Sequence, residues 1–493
     1  MNSRRLAASS TLALALVLSL MIFGGHRAQA AVPWYVSTTG NDGNDCLSEA
    51  TACLTIQAAI IKASAGDTIT VAAGNYAVVG ANIDKPLTLQ GKQAGVDARG
   101  GRPALPESVI TTGNAGVFTL NAANITFDGF TFSNLQGRTL DTYFDADNFT
   151  MRNCILGGNV GTYVGGGIQF GGGLNLHANG LLFEQNLVTA DNGVLLYMGH
   201  AMDNGTIRNN KFNGDTVSFG PFGNRTGWVI EGNEFNGEVP GHGPYWGYGF
   251  NANLGDVIIQ NNMVSKMSVG IGQISVVNGV IRGNTFDDNQ FAAFQLWGGE
   301  YGSVVSANVL TECNTINYNG TTDDGTPPNA SHGIRLRPGL DATTIHIHDN
   351  NFKNLAVGTG WAIRQNGSGT ADAESNWWGT TNPVVIAMMF GEGAVDFDPF
   401  LVAPVADVDH DGILDPCDTS VDLCPDDPNK TEPGACGCGV PDTDTNHDGR
   451  PDCLDVGPPT DKDQCKKDGW KTFNLPRDFK NQGDCIQYVN TGK

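Results

Sequence analysis

Basic residues are scarce in this sequence: 28 Lys and Arg stand against 51 Asp and Glu, a formal net charge of −23. Such a surface repels polyanions, which argues against nucleic acid as a partner. Long apolar runs are lacking as well. The one present, Leu12 to Phe23, covers about 12 residues, short of the roughly 20 that a bilayer core requires, so no transmembrane span is expected. Linkers of the kind that separate domains are missing from the bulk of the chain, although it exceeds the usual single-domain length, and this points to a repeat architecture.

What is present at the N-terminus fits export. Arg4 and Arg5 precede the apolar run, and Ala28-Gln29-Ala30 offers the small-x-small pattern of a signal peptidase site, so residues 1–30 read as a signal peptide and the mature protein as secreted or at the cell surface. Cysteine usage agrees. Seven of the 11 cysteines (Cys417, Cys424, Cys436, Cys438, Cys453, Cys465 and Cys485) fall in the last 80 residues, where little apolar material could form a core, and exported segments of that kind are held by disulfides. Cys46 is expected to pair with Cys53 and Cys465 with Cys485, whereas Cys154 and Cys313 read as isolated buried thiols. Zinc competes for the tail, but Cys436-x-Cys438 has too short a gap and no His pair completes a site.

Between residues 125 and 376 one phrase recurs. Its copies include ITFDGFTF from Ile125, LLFEQNLV from Leu181, WVIEGNEF from Trp228, GVIRGNTF from Gly279, SVVSANVL from Ser303 and IHIHDNNF from Ile345, and it closes with AESNWWG from Ala373. Successive copies step by 24, 32, 24, 23, 29, 22, 24 and 42 residues, a unit of roughly 23 with loops inserted. Apolar residues alternate within each copy and then yield to Asn or Gly, the pattern of short strands separated by bends. The sixth position holds Asn186, Asn210, Asn233, Asn262, Asn284, Asn308, Asn350 and Asn376, with Phe130 and Cys154 as exceptions. Asparagine tolerates the left-handed backbone of a sharp bend, and amides stacked at about 4.8 Å can bond in a ladder. The expected fold is all-β: a right-handed parallel β-helix over residues 31–403, with Leu54 to Ala63 as a capping helix whose Ile56, Ala59, Ile60 and Ala63 share one face.

This opening (LTIQAAIIKA, then GDTITVAAGNY and DKPLTLQG) resembles the start of proteins in the pectin-lyase-like superfamily, and the SNWWG closure is similar to that of other secreted β-helices. The resemblance covers roughly residues 34 to 400 and implies pectinesterases, polygalacturonase-like hydrolases and calcium-dependent polysaccharide lyases as relatives. Gly241-His242-Gly243 matches one hydrolase fragment, but no paired-aspartate motif accompanies it, and esterase-type Gln and Asp motifs are missing. A lyase needs only a base and neutralisation of a uronate, for which Arg335, Arg364 and His332 are the candidates.

In three successive rungs the strand after the bend reads AFQLW (Ala293 to Trp297), GIRLR (Gly333 to Arg337) and WAIRQ (Trp361 to Gln365). With Phe294, Leu296, Ile334, Leu336 and Ile363 inward, alternation puts Gln295, Arg335 and Arg364 outward in one column, with Trp297 and Arg337 in the next. Arginine forks beside an aromatic ring suit an acidic sugar chain. The competing reading pairs these arginines with Asp323, Asp324 or Asp341. Tyr245 and Trp246, in the loop GHGPYWGYGF, are further candidates for sugar stacking.

Charge concentrates near the C-terminus, where residues 407–455 hold 14 acidic groups against Lys430 and Arg450. Asp407, Asp409, Asp411, Asp415 and Asp418 stand at positions 1, 3, 5, 9 and 12 of a loop with Gly412 at position 6, and Asp444, Asn446, Asp448, Asp452 and Asp455 repeat the pattern around Gly449. That spacing wraps one turn of backbone around Ca2+. With Cys and Pro interleaved, residues 404–457 resemble thrombospondin type 3 repeats. Residues 458–493 follow a Pro-rich joint as a small disulfide-clipped module. The sequence therefore reads as a secreted, monomeric, calcium-binding β-helix that binds an acidic glycan, with a calcium-assisted polysaccharide lyase and a cell-surface adhesion or structural protein as alternatives.

Overall fold

The computed structural model describes residues 33–493, apart from 113–117, 134–137, 143–145, 158–166, 171–178, 190–195, 199–201, 215–216, 220–224, 239–247, 300–303, 318–330, 355–359, 411, 419–423, 425–426, 433 and 446–450. The proposed signal peptide lies outside the described residues. So do Tyr245, Trp246, Asp323, Asp324, Asp411, Asn446 and Asp448.

Alternating apolar residues produce short strands, and these pair in parallel with the corresponding strand one coil away. Phe127 stands against Met151, Met151 against Phe183, Phe183 against Ile207 and Ile207 against Ile230, all at most 1% exposed. A second face stacks Phe132, Leu156, Val188, Phe212 and Phe235 in the same way. Among the described residues it forms an 11-stranded sheet, whereas the other two faces merge into a 24-stranded sheet through strands such as Val269–Arg282 and Gly360–Asp372 that round a corner. Facing columns thus fill a continuous apolar interior, and the outward positions carry polar side chains. Arg152 pairs with Asp128 at 2.9 Å and Arg208 with Glu184 at 2.7 Å, so opposite charges meet across strands where like charges would repel.

The helix Ile56–Lys62, capped by the Thr55 hydroxyl, buries Ile56, Ala59 and Ile60 over the first coils. It covers core that an open terminal rung would expose. At the other end Trp378, fully buried, stacks on Phe352 at 4.5 Å and meets Phe390 edge-on.

The asparagine ladder runs from Asn186 through Asn210, Asn233, Asn262, Asn284, Asn314 and Asn350 to Asn376, in steps of 24, 23, 29, 22, 30, 36 and 26 residues. The ladder departs from the sequence expectation in two ways. Asn314, not Asn308, holds the ladder position in its coil, because Val309 is the register partner of Gly279. Asn308 turns the preceding corner instead, bonding Asn278 on the surface. Nor is the ladder residue the left-handed one. That conformation belongs to its predecessor, as in Asn209, Asn261, Cys313 and Asp349 (φ 52°, 56°, 53° and 54°). The ladder amide lies inside the bend and bonds backbone that the bend leaves unpaired.

Five disulfides form: Cys46–Cys53, Cys313–Cys417, Cys424–Cys438, Cys436–Cys453 and Cys465–Cys485. Cys313 is therefore no free thiol. The segment after residue 403 folds back along the β-helix and brings Cys417 beside it. Cys154 alone is free, and it is buried. No helix of the described residues is long and apolar enough to cross a membrane. The disulfides are consistent with an extracellular protein.

Candidate functional site

Phe294, Ile334 and Ile363 occupy one inward column, and Leu296 and Leu336 another; all are fully buried. Between them Gln295 pairs with Arg335, and Arg335 with Arg364, in direct register. Arg337 follows Trp297 in the neighbouring column, its guanidinium 5.5 Å from the indole centroid.

The arginines leave the core but do not stand open to solvent. Arg335 is 8% exposed, Arg364 3%, Gln295 7% and Trp297 6%. For Arg364 the covering groups are evident. It donates to Glu392 at 2.8 Å, lies 5.1 Å from the Trp361 ring centroid and approaches His332 Nε2 at 3.4 Å. His332, 2% exposed, stacks on Trp361. Arg337 is only partly buried and forms the accessible edge of the group. The structural ion-pair alternative holds for Arg364, though through Glu392. Asp341 instead caps a 3-10 turn by accepting from Thr343.

Sequence reasoning missed Glu392 and Asn366 and gave Trp361 no role. Asn366 also donates to Glu392, which closes the group on one side. Trp361 opens the quoted segment WAIRQ and could have been found from its place opposite His332. Glu392 lies one strand beyond the last repeat copy, where no asparagine marks the register, and the phrase gives no signal there.

The described residues of the two acidic loops make matching hydrogen bonds. In the first, Val408 N–H donates to Asp415 Oδ1 at 2.9 Å, and Asp415 N–H donates to Ala406 O. In the second, Thr445 N–H donates to Asp452 Oδ1 at 2.9 Å, and Asp452 N–H to Thr443 O. Each then enters a 3-10 turn, Asp415–Cys417 or Asp452–Leu454. A buried carboxylate oxygen of Asp407, at position 1, has no hydrogen-bond partner among the described residues, an arrangement that a hard cation would satisfy. Asp455, at position 12, accepts from Asn474 of the final module. The first loop does not project as a free stalk. Its base is bonded to Asn351 through Val405, Gly412 O accepts from Thr285, and Cys417 is linked to Cys313.

These features define a right-handed parallel β-helix with an appended acidic, disulfide-linked segment. Residues 46–212 match the family model described as a right handed beta helix region. No curated protein matches the chain. Among solved structures, a rhamnogalacturonan lyase is 12% identical over 78% of this chain and 95% of its own, with a TM-score of 0.38. DFA-IIIase from Arthrobacter chlorophenolicus, in complex with GF2, is 11% identical over 73% and 98%, with a TM-score of 0.46. A mannuronan C-5 epimerase A-module from Azotobacter vinelandii is 15% identical over 71% and 94%, with a TM-score of 0.39. Likenesses this distant say nothing of the chemistry of this chain.

Proposed function

We propose that this chain is a secreted protein whose β-helix (residues 31–403) binds an acidic polysaccharide along the face of Gln295, Trp297, Arg335 and Arg337, braced by the buried Arg364–Glu392 pair, while residues 404–457 take up Ca2+. The observation that carries the reading is the in-register arginine pair flanked by two arginine–tryptophan contacts. Guanidinium groups beside aromatic rings match the carboxylate and ring face of a uronate. Their partial cover lowers the local dielectric and strengthens each charge-assisted contact. Five aspartates of the first loop and four with Asn446 in the second supply the oxygen ligands for calcium. Glycan binding is tested by calorimetry and affinity electrophoresis over pectate, alginate and glycosaminoglycans. Arg337→Ala together with Arg335→Gln should weaken binding at least about tenfold, since each charge-assisted contact contributes about 1.5–3 kcal/mol. No binding by the parent, or equal binding by the variant, ends the reading.

A second reading, a uronate lyase, is favoured by the 3.4 Å approach of His332 to Arg364, which sets an imidazole beside a carboxylate-neutralising cation. Absorbance of unsaturated uronate products separates the two.

A further inference from the structure

Further along the coil from the arginine face, the strand Ile345–His348 alternates strictly: Ile345 and Ile347 are fully buried, so His346 and His348 both point outward. Asp372, at the end of the strand Gly360–Asp372, is the register partner of His346. His346 Nδ1 contacts one carboxylate oxygen of Asp372 at 2.8 Å, and His348 Nε2 contacts the other at 2.8 Å. Three ligand atoms from two strands thus converge within 4.8 Å of one another.

We propose that His346, His348 and Asp372 form a binding site for a divalent transition ion of the zinc class. Two imidazoles and a carboxylate are the donor set that such ions prefer, and a hard cation such as Ca2+ would favour oxygens alone. Donor atoms around tetrahedral zinc lie about 3.3 Å apart, given bonds of about 2.0–2.2 Å, so small side-chain rotations close the set without moving backbone. The backbone is fixed on both strands by cross-strand pairing and by the buried isoleucines, which is the preorganisation that a loop site lacks. Three protein ligands leave at least one position for water or a ligand oxygen. Glu312 faces His348 across the preceding strand and adds negative charge next to the site.

The alternative is that the carboxylate only bridges two histidines. The Cys436, Asp442 and Cys453 group offers no comparable site, because its two cysteines are bonded to each other. Titration of Zn2+ into the chelator-treated full chain, with millimolar Ca2+ present to compete at the acidic loops, distinguishes the readings. The parent should take up one equivalent of zinc. His346→Ala and His348→Ala should each weaken it by at least about 10-fold, since even losing a group that only hydrogen-bonds a metal ligand costs that much. Asp372→Asn should weaken it as well. All three side chains lie outside the core, so circular dichroism and the melting curve without zinc should match the parent. Absence of zinc uptake by the parent, or undiminished uptake by the His346→Ala/His348→Ala variant, overturns the proposal.

Discussion

Asn233 donates twice to Asn262: its backbone N–H and its Nδ2 reach the same Oδ1 at 3.0 and 2.9 Å. Asn262 in turn donates to Ile230 O and Gln260 O and to Asn284. Its side chain therefore satisfies buried groups in three coils. Replacing it with Leu leaves donors of Asn233 and acceptors of the bend unpaired, each costing about 1–3 kcal/mol. Asn262→Leu should thus destabilise more than Asn261→Leu, which imposes only a left-handed penalty of about 1–2 kcal/mol. Denaturant unfolding of the two variants gives the comparison, and the reverse ranking would remove the ladder from the account of stability.

The parallel coils and the arginine register were legible because both follow from a period of two within strands and a recurring unit between them. Asn308 shows where that legibility stops. Its coil contains two asparagines six residues apart, both at bends, and only pairing with the neighbouring coils selects Asn314. Cys313 was misread for a related reason: its partner lies 104 residues away in a segment with no repeat pattern, and alternation carries no information about such docking. Burial of Arg364 was invisible because the covering group, Glu392, comes from beyond the last copy of the phrase.

Arg364 should behave as a structural residue and Arg337 as a surface one. Arg364 is 3% exposed with Glu392 as its partner, so Arg364→Ala removes a well-covered charge-assisted bond and should lower stability by about 1.5–3 kcal/mol. Arg337→Ala, at a partly exposed edge, should stay within about 0.5 kcal/mol. Urea melts of both decide the matter. Equal effects would mean that the face is uniformly open or uniformly packed.

Cys154 should be inert in the native protein. Burial pushes its thiol up to about 12, so almost none is thiolate at neutral pH, and reagent cannot reach it. A thiol-reactive chromogen should find no reactive group in the folded chain and one after unfolding in denaturant without reductant. Rapid labelling of the native form would contradict both the burial and the five-disulfide pattern.

The link between Cys313 and Cys417 makes a prediction about calcium that a free stalk would not. Ca2+ bound at the first loop stabilises the state that holds that loop in shape. Because the loop is joined to the β-helix by the disulfide, by Thr285–Gly412 and by Asn351–Val405, that stabilisation should pass into the melting of the β-helix itself. Calcium should therefore raise the main Tm of the parent. The variant Cys313→Ser/Cys417→Ser keeps every proposed ligand, so calorimetry should find calcium binding retained. Its Tm without calcium should fall, since closing a chain of about 100 residues is worth up to about 4–5 kcal/mol in the chain-entropy model. The calcium-induced rise in Tm should shrink in the same variant, as the remaining hydrogen bonds hold the loop less firmly. Scanning calorimetry of both proteins, with and without chelator, reads these outcomes. An identical calcium shift in both would show that the loop and the β-helix melt as one without the disulfide, and no shift in either would remove calcium from the first loop.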